Sequence, residues 1–188
     1  MNRLLILIGL SALLCVGCSS NPSPSYHSLS DRPLTMASVS DRPGELWIEP
    51  VRLDSQVRHV GPVLMMPEGH LHLSRHQLWA APLQDQLQRL TQESLQAALP
   101  QWQQHTSPSA WRLRIEVSRL FGSPNGEVFL TGQYSLFQGD QLQWQQSFQH
   151  QAQQDQAGYV AMTEQMRALW QQQMTVIAQQ LASAPIQP

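Results

Sequence analysis

The sequence predicts an α+β fold, a mostly antiparallel sheet with two long helices packed on one face, in the order β-β-α-β-β-β-α after a signal peptide and tether. Three observations carry this. Apolar residues alternate with polar ones from Trp111 to Phe148, with turn residues at two places. Two segments, residues 83–98 and 159–181, repeat their apolar residues at helical spacing. The chain has 188 residues, 41% of them hydrophobic, which is enough for one domain with a sizeable core.

Taken in order, Tyr26-His27-Ser28-Leu29 is a small apolar island, a candidate first short strand inside an otherwise Ser-, Pro- and Asp-rich stretch over residues 19–45. Residues 46–53 read as a strand whose apolar phase slips at Pro50, which predicts an edge position or a bulge. A loop with Gly61-Pro62 and Pro67-Glu68-Gly69 follows. His70, Leu71, His72, Leu73, Ser74, Arg75 and His76 then alternate with period two, as a second strand ending near Trp79. Pro82 suits a helix start, and Leu83, Leu87, Leu90, Ser94 and Ala98 share one helical face until Pro100 stops the run. After a loop at residues 105–108, Trp111, Leu113, Ile115 and Val117 alternate with Arg112, Arg114, Glu116 and Ser118. Turns at residues 123–126 and 138–140 join this strand to two more, making a three-stranded antiparallel meander. Tyr159, Met162, Met166, Leu169, Trp170, Met174, Ile177 and Leu181 form the apolar face of the last helix. The expected organisation is a signal peptide over residues 1–17, a lipidated Cys and tether over 18–45, one domain over 46–183 and a tail over 184–188.

The N-terminus is the most specific part of the sequence. Arg3 precedes an apolar core of about 13 residues, too short for the roughly 20 that a bilayer-spanning helix needs, and Gly17 stands before Cys18. This resembles the bacterial lipoprotein box, with Cys18 as the acceptor of the diacylglycerol and N-acyl groups. Cys15 does not qualify, because the bulky Leu14 precedes it; it occupies the place where the box usually has Leu. Cleavage before Cys18 removes Cys15, so the mature chain has a single sulfur nucleophile and no intrachain disulfide. One acyl chain binds a membrane only reversibly, at about 0.8 kcal/mol per buried methylene, so the three chains of a mature bacterial lipoprotein hold it there. In other Gram-negative lipoproteins, Asp after the modified Cys retains the protein at the inner membrane. Ser19 stands there instead, which predicts the periplasmic face of the outer membrane.

Several chemistries are disfavoured. The net charge is -2, and the 11 basic residues are all Arg, scattered singly, so no basic stripe matches a nucleic-acid backbone. No Gly-x-Ser-x-Gly elbow, His-Glu-x-x-His, phosphate loop or dinucleotide fingerprint is present. No catalytic residue, cofactor site or metal ligand is assigned, and an enzyme is not expected. His70, His72 and His76 would share one face of a strand, as metal-binding imidazoles do, but a polar strand face explains them better. The Met and aromatic stripe with Met162, Met166, Trp170 and Met174 reads as core in preference to an adaptable docking surface. Trp47, Trp79 and Trp102 lie at element ends, where any left exposed would be a contact for a partner or a membrane.

Read together, the lipoprotein box, tether and domain resemble the ABC-transport auxiliary lipoproteins, and within them the lipoproteins of paraquat-inducible Pqi systems. The residues that carry this are Tyr26-His27-Ser28-Leu29, Leu46-Trp47-Ile48-Glu49 with Val51, Leu78-Trp79-Ala80-Ala81-Pro82-Leu83 and Leu99-Pro100-Gln101-Trp102. Gly126-Glu127-Val128, Gly132-Gln133-Tyr134 and Gly158-Tyr159 complete the set. The Trp-Ala-x-Pro-Leu element at residues 79–83 is the most specific; the loop over 54–69 and the Gln-rich tail are this chain's own. The resemblance implies a non-enzymatic subunit of an MCE-type phospholipid transport system, a ring-shaped homo-oligomer that docks a periplasmic MCE-domain tube at the outer membrane and supports envelope integrity. A stand-alone lipid- or hydrophobe-binding lipoprotein and a structural envelope lipoprotein are the alternatives.

Overall fold

Alternation in the meander sets the frame on which everything else is hung. The structure, a computed structural model, describes residues 22–29, 36–106 and 111–184. Its strands in chain order are β1 (Ser25–His27), β2 (Gly44–Ile48), β3 (Arg52–Leu53), β4 (Val63–Met65), β5 (Leu71–Leu73), β6 (Gln77–Trp79), β7 (Trp102–His105), β8 (Trp111–Gly122), β9 (Glu127–Gln138) and β10 (Gln141–Gln153). The helices are α1 (Leu83–Ala98) and α2 (Tyr159–Ser183). β8, β9 and β10 form the expected antiparallel meander, with Leu113 opposite Leu136 and Val117 opposite Gly132. Gly126 closes the first turn with a backbone φ of +84, which a side chain disfavours. At Gly132 a Cβ would meet the carbonyl of Glu116 and the ring of Phe148, so glycine makes room for the aromatic side chain of the neighbouring strand.

The class is α+β as expected, but the sheet is mixed and not mostly antiparallel. The order is β10-β9-β8-β2-β7, and β2, β3 and β4 all run parallel to β8. The edge position expected for residues 46–53 is also corrected. β2 lies between β8 and β7, and Pro50 breaks it from β3 instead of marking an edge. The interruption leaves no orphan: the Glu49 amide donates to the Leu113 carbonyl, and the Val51 amide donates to Gln88 Oε1 on α1 at 2.9 Å. β7 went unread in the sequence because Trp-Gln-Gln-His has no alternation to detect. It is fixed instead by the Trp102 ring, which lies so close over Gly44 that a Cβ there would stand 2.6 Å from it.

The strand expected from His70 to Trp79 is two strands in two sheets. Ser74 Oγ accepts from the amides of His76 and Gln77, both at 3.2 Å, and turns the chain between β5 and β6. β5 pairs with β4, whereas β6 pairs in parallel with β1. The island at Tyr26 therefore does dock. Leu29 is fully buried, and its amide donates to Gln86 Oε1 on α1 at 2.6 Å, while Gln86 Nε2 donates to the Ala81 carbonyl at 2.7 Å. Seven residue steps separate Cys18 from Ser25, a chain length of at most about 23 Å at roughly 3.3 Å per residue. Further along, the Val39 amide donates to the Ala98 carbonyl, and Met36 and Val39 pack against the core.

Both helices cover one face of the sheet. Leu83, Leu87, Leu90 and Leu95 from α1 meet Met162, Met166, Leu169, Trp170, Met174, Ile177 and Leu181 from α2 in one core with the inward residues of β8 and β9. The Met and aromatic stripe is core: Met166, Trp170 and Met174 are fully buried. Unbranched thioethers suit such a position, since they fill the uneven gaps between a twisted sheet and a straight helix.

Candidate functional site

The outward residues of the same strands make a sheet face that the two helices leave uncovered. Strand alternation puts Arg112, Arg114 and Glu116 there, opposite the buried Trp111, Leu113, Ile115 and Val117. Register then builds rows across the strands. Trp47 stands beside Arg112, which stands beside Phe137; Arg52 stands beside Glu116, which stands beside Gln133.

Glu49 is the centre of this face. It follows the end of β2, where continued alternation sets it on the same face as Trp47 and beside Arg114, its carboxylate among three guanidinium groups and its side chain 7% exposed. Arg114 grips it in a bidentate arrangement, Nε to Oε2 at 2.9 Å and Nη2 to Oε1 at 3.1 Å. Arg52 approaches Oε2 at 3.4 Å and Arg112 approaches Oε1 at 3.6 Å. Arg52 also faces Glu116 at 3.5 Å, and Gln133 Nε2 donates to Glu116 at 2.6 Å. Burial of the Glu49 carboxyl works against its ionisation, yet the Arg114 hydrogen bonds and the three positive charges outweigh that and hold its pKa below the usual carboxylate range. The Glu49 carboxylate in turn holds Arg114 more firmly protonated.

Aromatic rings complete the site. The Arg112 guanidinium lies 4.4 Å from the centre of the Phe137 ring and 5.9 Å from that of Trp47, and Arg114 lies 5.1 Å from Phe137. Beside the Arg52–Glu116 pair is a depression of about 430 Å³, bordered by Asp54, Ser118, Gln133 and Ser147. The cluster contains no nucleophile paired with a base. It sets three guanidinium groups against two carboxylates beside a half-buried Trp, a mix of charge and aromatic surface of the kind found at protein interfaces.

The residues singled out in the sequence fall as follows. Cys18 and Ser19 lie outside the described residues. His70, His72 and His76 do not converge: His72 is exposed on β5, His70 sits beside Glu68 before that strand, and His76 follows the Ser74 turn. Among the described residues, no group of three or more His, Cys, Asp or Glu side chains is placed to hold a metal ion. Trp79 and Trp102 are buried, which leaves Trp47 as the one of the three on the open face. The Glu49 cluster is the site that sequence reasoning missed. The Arg112, Arg114, Glu116 alternation was visible, but its counter-ion comes from a residue 65 positions away. No helix among the described residues is long and apolar enough to cross a membrane.

The chain is similar to known proteins at several distances. The intermembrane transport lipoprotein PqiC of Escherichia coli K12 is 27% identical over 184 residues, covering 95% of this chain and 98% of that protein, and PqiC of Shigella flexneri matches equally. The crystal structure of an uncharacterized protein has a TM-score of 0.74 at 24% identity, covering 85% of this chain and 99% of that one. A Xanthomonas campestris protein shares the fold at 12% identity with a TM-score of 0.63, covering 85% of this chain and 93% of its own. The family described as the ABC-type transport auxiliary lipoprotein component matches residues 27–178, a span that starts within β1, includes the Glu49 cluster and ends inside α2. With the meander, the first helix and the open charged face inside that span, the chain belongs to the ABC-type transport auxiliary lipoproteins.

Proposed function

We propose that this auxiliary lipoprotein is the outer-membrane subunit of an MCE-type intermembrane lipid transport system of a Gram-negative bacterium. It docks the periplasmic MCE-domain protein of a Pqi-type complex and takes no part in bond-making chemistry. The observation that carries this reading is the similarity to PqiC along nearly the full length of both chains. In this reading acyl chains on Cys18 hold the domain on the periplasmic face, Ser19 permits export to the outer membrane, and copies of the chain form a ring through which phospholipid passes to or from the MCE tube. The open sheet face supplies the docking surface. Arg and Trp are the side chains that most often anchor interfaces, and here Arg112, Arg114 and Trp47 are already fixed by Glu49 and Phe137, so little ordering entropy is lost on contact.

The test is a pull-down from solubilised membranes with Cys18 intact. A co-purifying MCE-domain protein supports docking; bound phospholipid without a protein partner favours a stand-alone carrier; neither favours a structural role. Cys18→Ala should release a folded domain into the periplasm, and a variant that stays membrane-bound refutes the anchor. Ser19→Asp should move the protein to the inner membrane, and unchanged fractionation counts against the sorting assignment.

A further inference from the structure

The described residues include six large apolar side chains left exposed, and four of them surround the point where the anchor segment joins the domain. Tyr26 is 66% exposed on β1, the first strand after the leash. Val60 is 78% exposed on the opposite edge of β6 from β1, where its carbonyl accepts the Trp79 amide. Leu73 is 48% exposed, just before the Ser74 turn whose His76 carbonyl accepts the Ser25 amide. Val160 is 64% exposed in the first turn of α2, next to Tyr159, whose ring lies 5.9 Å from that of His27 on β1. The other two, Leu142 and Val176, stand elsewhere, Leu142 at the far end of β10 from α2. The same rim is mixed in charge: Arg58 and Arg75 stand with Asp54 and Glu68, and Val160 shares a surface hollow with Asp155 and Glu164.

We propose that this rim is a second membrane contact, seated on the phospholipid surface that holds the anchor. The inference rests on acylation of Cys18. The leash decides the occupant: at most about 23 Å of chain separates Cys18 from Ser25, so β1 and its neighbours stay within reach of the headgroup region, where apolar side chains gain by partial burial. The contact turns a tethered domain into an oriented one. The helices and sheet then hold a fixed direction relative to the bilayer, which a docking subunit needs and a loose leash does not provide.

The experiment uses full-length acylated protein in vesicles of phosphatidylethanolamine and phosphatidylglycerol that contain a spin-labelled phospholipid. Since Cys18 would be blocked by its own lipid and Cys15 removed with the signal peptide, one introduced thiol carries a unique fluorophore. The variants are Tyr26→Cys, Val60→Cys and Val160→Cys, with Leu142→Cys as the distant position. Quenching at the first three should exceed that at residue 142 by at least about twofold, as expected for groups held at headgroup level. Equal quenching at all four positions overturns the proposal, showing a domain that tumbles on its leash. Energy transfer between labels on different copies, with no lipid quenching, also overturns it and makes the rim a contact between copies. Mass spectrometry of the same preparation reads the anchor separately. An unmodified Cys18 overturns both readings, whereas an acylated Cys18 with equal quenching overturns only the orientation.

Discussion

The two faces of β8 and β9 share one backbone and differ in everything else. On the covered face, Leu113, Ile115, Val117, Leu130 and Leu136 are almost completely removed from water against the helices. On the open face, Arg112, Arg114 and Glu116 keep partial contact with solvent, the two arginines held by Glu49 and Phe137 and Glu116 by Arg52 and Gln133. The first face draws on apolar burial, which is non-directional and insensitive to charge. The second depends on geometry: a partly buried carboxylate surrounded by three cations adds little net stability, because desolvation offsets attraction, but it fixes side chains in place. The contrast teaches that stability and recognition divide along the pleat of single strands, so substitutions one residue apart should separate them.

The largest effect is expected at the covered face. Trp170→Ala empties the centre of the core and should cost about 3–5 kcal/mol in denaturant unfolding. A loss under about 1 kcal/mol would show that the core re-forms around the gap. Glu49→Ala should cost less, about 2–3 kcal/mol, because the three guanidinium groups it leaves uncompensated are partly hydrated, unlike the fully buried pairs that cost roughly 3–5. It should also abolish recovery of the MCE-domain protein while the circular dichroism spectrum stays native, and retained recovery would remove the open face as the docking surface. Gln86→Ala tests a polar group on the covered side. Leaving the buried Leu29 amide without an acceptor should cost about 1–3 kcal/mol and raise hydrogen exchange at Leu29, and an unchanged exchange rate would mean that β1 docks without it.

The smallest effect is the acid response of the open face. With its folded-state pKa lowered, Glu49 contributes stability that is fully present above the usual carboxylate pKa and is lost as pH falls from there through the lowered value. Glu49→Gln should flatten that part of the stability profile, and an identical acid response in both proteins would assign it to other carboxylates.

Much of the fold was legible, for reasons tied to particular residues. Trp111 to Val117 and Val128 to Leu136 alternate without interruption, and Leu83 to Ala98 and Met162 to Leu181 keep helical spacing, so the meander and both helices could be read from the chain. Pro50 was misread because a proline inside a strand pattern usually marks an edge, whereas here Gln88 of α1 accepts the next amide and keeps the segment in the interior. The His70 to Trp79 alternation concealed the Ser74 turn, since period two carries no information about which sheet each half will join. Parallel pairing of β2 with β7 and β8 was hidden for a similar reason: no hairpin turn announces it.

The sequence by itself determined what local patterning can encode: the lipoprotein-box resemblance around Cys18, the two amphipathic helices, the meander, and the separation of Arg112 and Arg114 from Leu113 and Ile115. Only the tertiary structure decided which distant groups meet. Glu49 finds Arg114 across 65 positions, Leu29 finds Gln86 across 57, and Tyr26 and Val160 come to flank one end of the domain. Side-chain period along a strand or helix is fixed by backbone geometry residue by residue, whereas strand partners and ion pairs are selected by the packing of the whole chain, which no short window of sequence contains.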